Sequence, residues 1–188
     1  MDLSVNLDTT INTNKKTTMF MFKNANPHPK GSHEYYLEEI RRLSDVNELV
    51  GGMSADVECM TQRTSSDAPL LSPKESDMFS CRLARLKEML YDGSGSVLET
   101  AQALVQKYPT LFPHVLPLLS CVAFEARKNL AAVFNLLVTS PTTNETFGTY
   151  LVNCYHDVMT PICDGLDAQN KSPDTALLCG TMYRSTLR

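Results

Sequence analysis

Two Ser-x-x-Glu boxes constrain this chain more than any other feature. Ser72, Pro73, Lys74 and Glu75 supply an N-cap, a proline at the first helical position and a glutamate that can reach back to the cap. Ser96, Val97, Leu98 and Glu99 form a second box. Behind the first box, Phe79, Leu83, Leu86 and Leu90 fall on one helical stripe, which predicts a helix up to Tyr91. Asp92, Gly93, Ser94 and Gly95 break it. The helix behind the second box is expected to run to Tyr108, because Pro109 disfavours helical backbone in the residue before it. A chain punctuated in this way builds from short helices joined by tight turns.

The punctuation continues to the last residue. Thr110 opens a third helix over residues 111–120, which tolerates Pro113 in its first turn and is kinked or ended by Pro117. A fourth is expected over residues 122–138, with Phe124, Leu130, Val133, Phe134 and Leu137 as its buried stripe and Ser140 and Pro141 as its stop. Residues 146–153 and 156–166 read as two shorter helices. Ser172, Pro173 and Asp174 cap a last one, with Leu177, Leu178, Met182 and Leu187 at near-helical spacing. No period-2 apolar run or Asn-Gly turn follows residue 73, so residues 73–188 are expected to be all-α. Helices in pairs or triplets of about 40 residues point to an armadillo- or HEAT-like solenoid, with a compact helical bundle as the alternative.

The N-terminal part is less regular. Residues 1–32 are polar and read as a disordered or loosely attached tail. Within it Met19, Phe20, Met21 and Phe22 form one apolar knot before Lys23, which either docks on a neighbouring surface or stands exposed. Residues 33–50 fit one amphipathic helix, capped by Ser32, with Glu34 in its first turn and Tyr36, Ile40 and Leu43 on one face. Gly51 and Gly52 are expected to end it, leaving residues 51–72 as a flexible loop.

Charge and hydropathy remove several function classes. The 188 residues carry 17 Lys+Arg against 21 Asp+Glu, a formal net charge of -4, which does not suit phosphate neutralisation by a basic nucleic-acid-binding domain. The best apolar run, residues 111–123, contains Pro113, His114, Pro117 and Ser120 and falls short of the roughly 20 residues a membrane span needs. Residues 1–18 show no apolar signal core. The six cysteines form no CxxC pair, so they are expected to be reduced thiols of a cytoplasmic protein.

Few constellations carry chemistry. Cys154, His156 and Asp157 bring a thiol near a base and a carboxylate, but positions i and i+2 of a helix face apart, so a structural cysteine beside a surface histidine is expected. Cys154, His156 and Cys163 match no compact zinc spacing and lack a fourth ligand. Asp164, Asp167, Asn170 and Asp174 lack the alternation, central glycine and terminal glutamate of a calcium loop. Gly93, Ser94 and Gly95 form a turn and no phosphate loop. Arg127 with Lys128, and Arg184 with Arg188, read as solvated helix faces ahead of anion or acidic-partner sites. The expectation is a chain that is not an enzyme, with no catalytic residue, metal or cofactor, and with partner-binding residues that the sequence does not identify.

A family resemblance gives this all-α reading a function. Residues 124–137, FEARKNLAAVFNLL, resemble the segment DFEGKKDVAQIFNNLL of the calcium-binding protein 39 (mouse protein 25) family. Residues 172–184, SPDTALLCGTMYR, resemble its SPEIALNCGIMLRE segment, and residues 86–93 are similar to its MKEILYG. More weakly, residues 19–23 resemble the family's Phe-containing start, and residues 34–43 its first helix. The three main matches occur in family order. The resemblance implies a right-handed helical solenoid related to armadillo repeats. It also implies a non-catalytic scaffold that binds and activates protein kinases or pseudokinases in intracellular signalling. A generic helical-repeat adaptor for a non-kinase partner is the alternative. Family members run to about twice this length, so the chain is expected to be the N-terminal portion of a longer solenoid. The face left open at its end is then expected to self-associate.

Overall fold

Ser32, Asp45, Ser72, Ser96 and Ser172 each sit at the start of a helix. The computed structural model describes residues 26–63, 72–93, 95–167 and 172–188, and all regular structure among them is helical. The helices are α1 (His33–Arg42), α2 (Val46–Arg63), α3 (Pro73–Asp92), α4 (Val97–Gln102), α5 (Leu111–Val115), α6 (Phe124–Thr139), α7 (Asn144–Asn153), α8 (Tyr155–Asp164) and α9 (Pro173–Thr186). The first box forms in full: Ser72 Oγ accepts from the Glu75 amide at 3.3 Å, and the Ser72 amide donates to Glu75 Oε2 at 2.8 Å. Ser32, Ser96 and Ser172 accept from the amides three residues on. Gly93 closes α3 in the left-handed region at φ 78, a conformation that favours glycine.

Prolines shape the middle of the chain. α4 ends in a π-helical turn, Ala103–Lys107, where the Tyr108 amide reaches back five residues to Ala103 O. Pro117 cannot donate a backbone hydrogen bond, and α5 tightens there into a 3-10 helix, Leu116–Cys121.

Two expectations for the N-terminal part fail. The predicted 33–50 helix is two helices. Asp45 Oδ1 accepts from the Asn47 amide at 2.7 Å and restarts the chain as α2, after Leu43 has turned to ψ 136. Gly51 and Gly52 do not end that second helix; α2 runs through them to Arg63, so residues 51–63 are helical where a loop was expected. The glycines serve close approach: a Cβ on Gly51 would lie 2.6 Å from the Tyr108 hydroxyl, and one on Gly52 2.5 Å from Arg82 Nε. The end of the expected tail is also anchored, since Asn26 Nδ2 donates to Tyr35 O at 2.8 Å and to Glu39 Oε1 at 3.0 Å. The rest of that tail, residues 1–25, and residues 64–71 of the expected loop lie outside the described residues.

Packing follows a simple order. α1 lies on α3, α3 on α6 and α6 on α9, forming one row. Cross-row bonds recur at nearly constant sequence separation. His33 meets Asp77 and Cys81 Sγ meets Leu37 O, both 44 residues apart, and Arg85 Nε donates to Leu43 O across 42. Lys87 Nζ donates to Asn129 Oδ1 across 42 residues. Arg127 Nη1 donates to Thr175 Oγ1 across 48, and Asn135 Nδ2 to Thr181 Oγ1 across 46. Because the partners advance together along both helices, α1 runs parallel to α3, and α6 to α9. Behind the row pack α2, α4, α5, α7 and α8.

One apolar core joins row and backing. Its densest part is the aromatic group Phe112, Phe134 and Phe147, with centroids 5.4 to 6.0 Å apart in edge-to-face contact. Tyr150 extends it, its hydroxyl donating to Pro109 O at 2.7 Å. The expected stripes are correct in their buried members Phe79, Leu83, Leu86, Leu90, Leu130, Val133, Phe134, Leu137 and Met182. They are wrong at Phe124, which is exposed at 43%, and Leu177 and Leu187, placed only by their helical spacing, are exposed at 64% and 69%. Phe124 opens the first turn of α6, where the stripe has not yet entered the core, and instead lies under the cations of Arg127 and Lys128, 5.7 and 5.3 Å from its ring.

Candidate protein-binding surfaces

Two of the grooves along the helical row gather side chains from several helices. The first, of about 580 Å³, lies between α1, α3 and α6. Leu37, Cys81 and Ala84 give it an apolar floor, and Arg41, Arg85, Asp77, Glu88 and Glu125 a rim of both signs. Its charges are partly fixed: Arg85 is bound to Leu43 O at 2.9 Å and lies 3.6 Å from Glu88, and Arg41 lies 3.6 Å from Glu38. Burial pushes the Cys81 thiol up, the opposite of what a nucleophilic or metal-binding thiolate needs. Such a groove suits an extended polypeptide with alternating charge better than a small reacting molecule.

The second groove, of about 340 Å³, lies at the C-terminal end of α9, against α7, α8 and the end of α6. Val138, Leu151, Val152, Tyr155, Met159, Tyr183 and Leu187 line it. Val152, Tyr155 and Leu187 are 74%, 55% and 69% exposed, so this patch is open to solvent.

The residues singled out for chemistry do not converge. Cys154 caps the end of α7 with its side chain half-buried, while His156 and Asp157 are exposed in the first turn of α8. The His156 ring rests edge-on against Tyr155, 5.7 Å between centroids. Cys163 is exposed near the far end of α8. Among the described residues no three His, Cys, Asp or Glu side chains group as a metal would require. Asn170 lies outside the described residues, and Asp164, Asp167 and Asp174 are exposed. Arg127, read from sequence as a solvated cation, is half-buried and ties α6 to α9 through Thr175. Lys128 pairs with Glu125 at 3.1 Å, and Arg184 Nε donates to Gly180 O at 3.2 Å on its own helix. Arg188 lines the C-terminal groove. Sequence reasoning missed both grooves, because each is made of residues brought together from three or four helices.

Among the described residues no helix is long and apolar enough to cross a membrane. The chain matches no family model, no curated protein and no solved structure.

Proposed function

We propose that this chain is a non-catalytic helical scaffold, an armadillo-like solenoid whose helical row binds a protein kinase or pseudokinase in the cytoplasm. The observation that carries the reading is the recurrence of cross-row bonds at separations of 42 to 48 residues, close to the 40 to 47 residues of armadillo and HEAT units. Stacked units of that size present a continuous face without needing convergent catalytic groups. The mixed-charge groove between α1, α3 and α6 fits a polypeptide segment, and its rim supplies register more than raw affinity. The resemblance of residues 86–93, 124–137 and 172–184 to the calcium-binding protein 39 family supplies the kinase identity. A scaffold of this kind acts by binding the active kinase conformation more tightly than the inactive one, which shifts the population.

The test is a kinase assay with purified chain added to sterile-twenty-like kinases. Stimulation is expected, together with its loss in a Glu88→Arg, Glu125→Arg double variant whose melting is unchanged. Both residues are exposed, so the fold should tolerate the change. No stimulation of any kinase, with affinity capture returning other protein classes, would favour the adaptor reading instead.

A further inference from the structure

The groove between α1, α3 and α6 contains a polar group that the fold leaves unused. Asn129, on α6, lines this groove and is 8% exposed. Its Oδ1 accepts from Lys87 Nζ at 3.1 Å, which fixes the direction of the side-chain amide. The Nδ2 end has no hydrogen-bond partner among the described residues. A donor held in so buried a side chain calls for an acceptor, from water in the free chain or from a ligand that displaces it. The surroundings select that acceptor. Asp77, Glu88 and Glu125 line the groove against Arg41 and Arg85, which leaves one negative charge in excess. Arg85 is already held by Leu43 O and Glu88. An anionic acceptor is disfavoured there, and a neutral carbonyl is not.

We propose that Asn129 reads the main chain of a bound polypeptide: its Nδ2 donates to a backbone carbonyl of an extended segment in which apolar and basic residues alternate. This rests on the reading of the helical row as a protein-binding face, and it names the kind of segment that face takes. A helical ligand would spend its carbonyls on its own backbone and leave Nδ2 unpaired, whereas an extended one has carbonyls to offer. Side chains of an extended segment alternate between two sides. One set meets the apolar floor of Leu37, Cys81 and Ala84. The other set reaches the rim, where the Glu88 and Glu125 side chains are 65% and 69% exposed. Their partners, Arg85 at 3.6 Å and Lys128 at 3.1 Å, are neighbours on the same helices. Such exposed pairs are worth little, so a cation of the ligand can share or replace them. The amide thus sets the position of the segment, and the rim sets its charge.

The test titrates the full chain with a fluorescein-labelled octapeptide of alternating Val and Lys, and with its Val-Glu counterpart, by fluorescence anisotropy. The Val-Lys peptide is expected to bind, and the Val-Glu peptide to bind about tenfold more weakly or not at all. Asn129→Asp keeps an acceptor for Lys87 and removes the Nδ2 donor. It should weaken the Val-Lys peptide about tenfold, although its added negative charge alone would tighten it. A Glu88→Gln, Glu125→Gln variant, altered at exposed side chains, should weaken the same peptide and flatten its salt dependence. No binding of the Val-Lys peptide, equal binding of the Val-Glu peptide, or unchanged affinity in Asn129→Asp would each overturn the proposal. A second measurement needs no variant that must fold. In the parent chain one proton of the Asn129 side-chain amide should shift downfield in the NMR spectrum as the Val-Lys peptide saturates the groove, and an unshifted pair would overturn the proposal. No kinase is present in either experiment. A chain that binds the peptide through Asn129 but stimulates no kinase therefore keeps this inference and loses the kinase reading alone.

Discussion

The two ends of the helical row are held by different physics. Around α1, α2 and α3 charged ties supplement an apolar core that includes Leu49, Met53, Phe79 and Leu83. Arg63 grips Glu75 through two bonds of 2.7 and 2.9 Å, and Arg82 is bound to Asp56. Around α6, α7 and α9 the ties are aromatic contacts and hydroxyl bonds. The Phe112, Phe134 and Phe147 group is joined by Tyr150, Thr143 Oγ1 donates to Leu137 O at 2.6 Å, and Arg127 donates to the Thr175 hydroxyl. Charged ties weaken with salt and pH, whereas buried aromatic packing responds to neither. The N-terminal end therefore carries more of the salt- and pH-sensitive ties than the C-terminal end.

The largest expected effect comes from breaking the C-terminal end. Phe134 is fully buried and touches both other rings of the group. Phe134→Ala should cost about 3 to 5 kcal/mol, transfer and cavity terms together. Urea unfolding should show a lower midpoint with an unchanged slope. A loss below about 1 kcal/mol would mean that the aromatic group is not the anchor of this half.

Thr143 gives a smaller test at the same end. The residue is fully buried and its hydroxyl satisfies Leu137 O at the end of α6. Thr143→Val keeps the shape and removes the donor, which should cost about 1 to 3 kcal/mol for a buried acceptor left unpaired. The loss should be the same at 0.05 and 0.5 M salt. A salt-dependent loss would contradict the contrast between the two ends.

From residue 72 onward the sequence made helix starts and buried stripes more legible than before it. Ser72, Ser96 and Ser172 sit where capping chemistry predicts, and the apolar stripes named the core of α3 and α6 because their period follows the helix itself. Most failures came where a long-range contact overrode a local rule, and one where a local cap was missed. Gly51 and Gly52 looked like a helix stop because nothing local shows that Tyr108 and Arg82 lie against them. Asp45 was overlooked as a cap because apolar residues on both sides kept the helical period through it. Arg127 resembled a surface cation, yet its partner Thr175 lies 48 residues away. The grooves were illegible for the same reason, and local spacing carried no trace of them.

The smallest effect sharpens the comparison through pH. Arg63, the capping amide of Ser72 and the Ser72 hydroxyl hold the Glu75 carboxyl well below the usual carboxylate range, at about 2. A carboxylate depressed in the folded state stabilises it fully above its unfolded value of about 4.5, and that contribution drains away as pH falls from 4.5 towards 2. Asp56 acts in the opposite sense. Burial raises its pKa against the pull of Arg82, so it takes up a proton earlier and partly offsets the acid loss. Subtracting a Glu75→Gln variant from the parent isolates the first effect. The variant keeps a capping amide but loses the charge pairing with Arg63. Urea midpoints at pH 6 should place the parent above the variant by a small margin, because the pair is partly exposed. The gap should close by pH 2. A gap that stayed constant across that range would mean that the Arg63–Glu75 pair adds nothing to the joint between α2 and α3, and the two ends of the row would no longer differ in their response to pH.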